Sequence, residues 1–246
     1  MLILWILFFS LLGSFGALVI AAAFLFIGEK IQKVLVRLFV SYATGTLLSV
    51  ALLGLLSEAL ENTSRFSVLS SVLAGFVIFF LLEKILIWRH CHDKECDIHG
   101  TAGPMILIGD LLHNATDGLI IAASFLSSLP IGIVTGITII IHEIPQEIGD
   151  FAILLNGGYT KRKALFYNLL SSLSNLLAAI IAYFTLEIIH SAIPYVMAFS
   201  AAGFLYIALS DLYPQLHKKR EFGTSLQQFI MILAGIGTMV LLLQFH

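Results

Sequence analysis

Apolar residues in this chain come in long unbroken runs rather than in stripes. Such runs recur near residues 2–27, 36–60, 67–88, 104–127, 131–155, 164–189, 192–213 and 226–245. Each is about the length an α-helix needs to cross the hydrocarbon layer of a bilayer, roughly 20 residues. The alternating segments of about 10 residues that mark an outer-membrane barrel do not occur. The pattern therefore predicts an all-α, polytopic membrane protein of eight transmembrane helices. The connections are short, so residues 1–246 are expected to form a single transmembrane domain. Composition reinforces this: 59% of residues are hydrophobic and 11% charged, against about 25% charged in a soluble domain.

The thirteen Lys and Arg residues set the expected orientation. Lys30, Lys33 and Arg37 lie at the first connection, Lys84, Arg89 and Lys94 at the third, Lys161–Lys163 at the fifth, and Lys218, Lys219 and Arg220 at the seventh. Only Arg65 lies at an even-numbered connection. Basic residues stay cytoplasmic, which places both termini outside. Residues 1–28 have no basic n-region and too long an apolar run for a signal peptide, so they are read as a retained helix. The first three and the last three helices then run in opposite senses. This predicts a 3+2+3 inverted-repeat arrangement, with helices four and five in the middle and a substrate site near the bilayer midplane.

Those two central segments break the apolar pattern. Segment four contains GDLLHNATDG (109–118) and segment five HEIPQEIGDF (142–151), and no Lys or Arg occurs between Lys94 and Lys161. Asp110, Asp117, Glu143, Glu147 and Asp150 are thus set into membrane helices without a resident counter-charge. Each costs at least ~2.5 kcal/mol at the centre of an isolated inserted helix. Either the carboxyls are protonated or a cation is supplied from elsewhere. Spacing favours the cation. His113 and Asp117 are four residues apart on one face with Asn114 beside them; His142 and Gln146 repeat the step, and Glu143 and Glu147 run parallel. Nitrogen and oxygen donors without thiolate suit zinc, and also iron(II), manganese, cadmium or nickel. Pro145 has no N–H to offer the Ile141 carbonyl, so the helix is expected to bend there and line a cavity. A lone membrane histidine, or a proline, is ordinarily structural, and a proton relay through Asp and Glu is a rival reading. Two His, one Asn, one Gln and five carboxyls on adjacent helices are hard to satisfy by packing alone.

HNATDG and HEIPQEIGDFAIL resemble the fourth- and fifth-helix signatures of the ZIP (Zrt/Irt-like) metal transporters. AAGFLYIALSDLYPQL (201–216) is similar to the seventh helix of that family, and LLSEAL (55–60) echoes the second more weakly. The resemblance implies transport of divalent metals, usually zinc, toward the cytosol through a one- or two-metal centre between helices four and five. Carried over residue by residue, it implies one metal on His113, Asp117, His142 and the side chain at 146. The adjoining position would use Asn114, Asp117 and Glu143, with residue 146 shared. The family commonly has His where this chain has Gln146, and a neutral amide oxygen is a weaker zinc ligand. Gly54 and Ser57 stand in the second helix where His and Pro are frequent.

Other polar residues are secondary candidates. The third connection, a cytoplasmic loop over residues 89–103, holds His90, Cys91, His92, Cys96 and His99. Thiols stay reduced on that side, and Cys-x4-Cys is outside the usual structural zinc spacing. The loop is read as a flexible metal-receiving segment or as a solvated polar one. Glu58 and Glu61 near the outer end of helix two, and Glu187 and His190 near that of helix six, could gather cations or be solvated helix ends. Asp110, Glu147, Asp150 and Asp211 are candidates for supporting or pathway roles. Ser174 and Asn175 suit interhelical bonding better than metal binding.

The expectation is therefore a carrier for divalent ions working by alternating access. Imidazole binds metal only when neutral, so binding should weaken as pH falls through the imidazole range, around 6.5 when unperturbed. An intramembrane zinc metalloprotease needs H-E-x-x-H, and this chain reads H-E-I-P-Q. A proton- or electron-handling protein, such as a haem carrier on His113 and His142, fits the crowd of acids poorly. The expected partners are divalent metal ions and the lipid bilayer, with no nucleic acid; a homodimer is allowed but not required. The absence of long loops points to a bacterial plasma membrane.

Overall fold

The computed structural model describes residues 1–24, 26–88, 98–156, 158–217 and 222–244. Among them are eight long helical stretches and no strand. α1 runs through Leu2–Leu11, a π-turn at Leu12–Gly16 and Ala17–Phe24. α2 comprises Glu29–Ser49, a π-turn at Val50–Leu55 and Leu56–Asn62. α3 is Arg65–Trp88, α4 Ile98–Ser127, α5 Leu129–Asn156 and α6 Lys161–Ile188. A short turn at His190–Ala192 leads into α7, which is Ile193–Tyr206, a π-turn at Ile207–Leu212 and Tyr213–Leu216; α8 is Phe222–Gln244.

Seven of the eight are long and apolar enough to cross a membrane, so the chain is an all-α polytopic membrane protein. The eighth, α4, spans 30 residues and carries Asp110, His113 and Asp117. Several helices run past the apolar stretch that reveals them. α4 begins at Ile98 rather than near residue 104, and α2 at Glu29 rather than near 36. Polar and basic residues at a membrane boundary are compatible with helix, so the backbone continues where the hydrophobic signal has stopped. In α6, Thr160 caps the basic first turn by accepting from the Lys163 N–H.

The helices pack in matched pairs. α3 lies on α7 as α8 lies on α2; α1 lies on α5 as α6 lies on α4; α4 meets α5, and α2 meets α7. Exchanging the first three helices with the last three, and α4 with α5, leaves this set unchanged. Two groups result: α1, α4, α5 and α6 form one, and α2, α3, α7 and α8 the other. Two seams depend on glycine. A side chain at Gly45 of α2 or Gly235 of α8 would strike the other helix's backbone, at Ile232 and Tyr42 respectively. One at Gly118 of α4 would strike the Asn175 carbonyl of α6. Without a solvent-driven hydrophobic effect inside a bilayer, such close backbone approach supplies much of the helix–helix attraction.

The largest apolar core lies where the groups meet, around Leu47, Phe125, Ile139, Met197 and Phe204. It covers one end of the central helices more fully than the other. On α4, every side chain from Asp117 to Phe125 except Leu119 is buried. From Leu107 to Thr116 only Asp110 and Asn114 are.

Candidate metal centre

The four-residue steps on α4 and α5 bring one imidazole and one carboxylate from each helix to a single point. His113, Asp117, His142 and Glu143 each offer a ligand atom, and these atoms lie within 4.8 Å of one another. His113 Nε2 stands 3.1 Å from Glu143 Oε1 and 3.6 Å from Asp117 Oδ2. His142 Nε2 stands 3.2 Å from Asp117 Oδ2 and 3.8 Å from Glu143 Oε1. The two Nε2 atoms are 3.2 Å apart. Around tetrahedral zinc, with bonds of about 2.0–2.1 Å, donor atoms stand roughly 3.3–3.4 Å from each other. The observed spacing brackets that edge.

Hydroxyl and amide donors are missing around these atoms. His142 Nδ1 lies 3.0 Å from the Thr138 carbonyl, an acceptor only, so Nδ1 carries the hydrogen and donates it. In the neutral ring Nε2 then presents its lone pair to the cluster. Among the described residues no hydroxyl or amide donates to either oxygen of Asp117 or Glu143, whose close neighbours are the two imidazoles, and Asn114 Oδ1 has no partner. Asn114, Asp117 and Glu143 are fully buried and His142 nearly so. Two carboxyls and two imidazoles buried together with no resident cation are costly as they stand, and a divalent cation would satisfy all of them at once. The Phe204 ring of α7 lies edge-on to His142, centroids 5.7 Å apart, and closes the fully packed end of the cluster.

One turn further toward the basic ends of the helices, the acids are held differently. Asp110 accepts from Asn114 Nδ2 at 2.8 Å, from Gln146 Nε2 at 3.4 Å and from the Ser171 hydroxyl of α6. Glu147 Oε1 accepts from Ser172 Oγ at 2.7 Å. Asn114 and Gln146 therefore turn their amide nitrogens toward Asp110, and Asn114 keeps its oxygen free. The helix runs through Pro145, whose missing N–H leaves the Ile141 carbonyl without its usual donor. The H-E-x-x-H geometry of a zinc protease is lacking, since Gln146 is engaged with Asp110.

The remaining candidates lie elsewhere. Glu58 accepts from Ser127 at 2.7 Å and shares with His190 the wall of a cleft of about 610 Å³ at the far ends of α2 and α4. Glu61 is exposed, and Glu187 accepts from Tyr183 at 3.3 Å. Asp150 is half-buried on α5. Asp211 falls in the π-turn of α7, its side chain outside the described set. His90, Cys91, His92 and Cys96 lie outside the described residues, as does the His99 side chain. Ser174 donates to the Leu111 carbonyl of α4 at 2.8 Å, an interhelical bond of the expected kind. Ser171 and Ser172, which hold Asp110 and Glu147, were not singled out from sequence. The available signal was their place in SSLSN, small polar residues within an otherwise apolar helix.

Known proteins resemble this chain in sequence. Residues 88–243 match the family described as ZIP Zinc transporter. "Zinc transporter ZIP13" of Pongo abelii is 37% identical over 82% of this chain and 65% of its own length. "Zinc transporter ZIP13" of Mus musculus is 31% identical over 84% of this chain and 69% of its own length. "Zinc transporter YKE4" of Saccharomyces cerevisiae is 30% identical over 83% and 70%. This chain thus spans about two thirds of the length of these relatives, and less of several others. With the family match covering more than half its residues, the chain belongs to the ZIP zinc transporter family.

Proposed function

We propose that this protein carries divalent cations, zinc foremost, across a membrane toward the cytosol. His113, Asp117, His142 and Glu143 hold the ion, and Asn114 Oδ1 is available at the adjoining position. The observation that carries the reading is the set of buried nitrogen and oxygen atoms at ligand spacing. Iron(II), manganese, cadmium and nickel, which accept the same mixed donors, are competing cargo. The zinc-transporter names of the relatives support the same substrate.

Ions would arrive from the end where Glu58 and His190 line the cleft and leave at the end carrying the Lys and Arg clusters. The packing beyond Asp117 closes the first route, while the thinner cover below His113 favours the second; the conformation corresponds to an inward-facing state. Movement of α1, α4, α5 and α6 against α2, α3, α7 and α8 would exchange the two accesses. His113→Ala combined with His142→Ala should abolish zinc uptake into proteoliposomes while leaving the protein monodisperse. Wild-type uptake in that double variant would sink the proposal.

A further inference from the structure

Glu147 is fully buried, yet only Oε1 has a partner, the Ser172 hydroxyl; Oε2 has none. Asn168 of α6 is also fully buried, its amide reaches the Glu147 carboxylate, and its oxygen has no hydrogen-bond partner among the described residues. Asp150 follows three residues after Glu147 on the same face of α5, within electrostatic reach of Glu147 and Asp110. No Lys or Arg lies between Lys94 and Lys161 to serve them. Asp110 differs: both of its oxygens accept hydrogen bonds.

We propose that Glu147, Asn168 and Asp150 form a second cation site, a weaker stopping place for a divalent ion leaving the four-ligand cluster. The proposal rests on the transport reading above. Glu147 lies about 6 Å and Asp150 about 10 Å from Glu143 along the helix, at 1.5 Å per residue, on the side facing the basic ends. Its donors are carboxylate and amide oxygens with the Ser172 hydroxyl beside them, and there is no imidazole. Such a set favours hard ions and holds zinc less firmly than a site with two histidines. A loosely held position next to a tight one lets an ion step away without losing all its ligands at once, and then escape to water.

Manganese(II) alone serves as probe, titrated by electron paramagnetic resonance into the purified full chain. In the His113→Ala/His142→Ala background one weakly bound Mn²⁺ should remain. Adding Glu147→Gln should weaken it by about tenfold or more, as should Asn168→Leu, while Asn168→Asp should restore it. Loss of all Mn²⁺ binding in the histidine double variant would overturn the site. So would residual binding indifferent to Glu147→Gln, or an infrared signature showing that Glu147 is a protonated acid bonded to Asn168. Wild-type zinc flux, measured separately, tests transport: its absence would defeat the carrier reading and leave the Mn²⁺ titration to judge the site.

Discussion

Neighbouring turns of α4 and α5 hold two sets of buried acids in opposite ways. Asp110 and Glu147 take hydrogens from hydroxyls and amides, with Ser171 and Ser172 of α6 supplying the short bonds. Asp117 and Glu143 have no hydroxyl or amide donor among the described residues, and meet imidazole nitrogens at 3.1–3.8 Å instead. The fold evidently can supply a buried carboxylate with serine hydroxyls, at both oxygens of Asp110 with help from amides and at one oxygen of Glu147. One turn away that help is withheld, and on the proposed reading a cation takes its place. The lesson is that the number of acids in a membrane helix says less than the protons their neighbours can spare.

The comparison breaks most sharply if the unsatisfied pair is neutralised. Asp117→Asn with Glu143→Gln should reduce zinc affinity by well over 100-fold, since losses at mere supporting groups already reach 10–100-fold. The same change should stabilise the metal-free protein by about 1–3 kcal/mol, the cost of an unmet buried polar group. Calorimetric zinc titration and melting in chelator measure the two effects, and a metal-free protein no more stable than wild type would contradict the contrast. Next in size, Ser171→Ala should destabilise the protein by about 1–3 kcal/mol by stripping Asp110 of a donor. Zinc affinity in that variant should stay within roughly threefold. Gln146→His should raise zinc affinity by less than about tenfold, because the side chain at 146 is aimed at Asp110 and an imidazole there must first reorient. Smallest, Glu58→Gln should raise the KM for zinc uptake about two- to threefold with kcat unchanged, the mark of weakened electrostatic gathering at the cleft.

Much of this was readable from the chain before any coordinates. Apolar runs disclose the membrane helices because a bilayer demands continuous hydrophobic length, and they understate the ends because polar residues such as Glu29 and His99 can extend a helix beyond that length. The π-turns of α1, α2 and α7 gave no warning. One extra residue in a turn alters the hydrogen-bond ladder without altering composition. The four-residue spacings identified which face of α4 and of α5 carries the donors. They did not say which way Asn114 and Gln146 point their amides, because that depends on Asp110 and on serines contributed by a third helix. Pairwise periodicity describes two surfaces, whereas an amide's orientation is decided by everything that touches it.

The bond from His142 to the Thr138 carbonyl has a consequence for turnover. A free imidazole would tumble between tautomers and rotamers whenever its guest departed, and each new arrival would have to wait for it. Tethered at its back nitrogen to the turn above, this ring stays cocked while vacant. Readiness of that kind spares an arriving ion the cost of fixing the ring and so strengthens the hold on it.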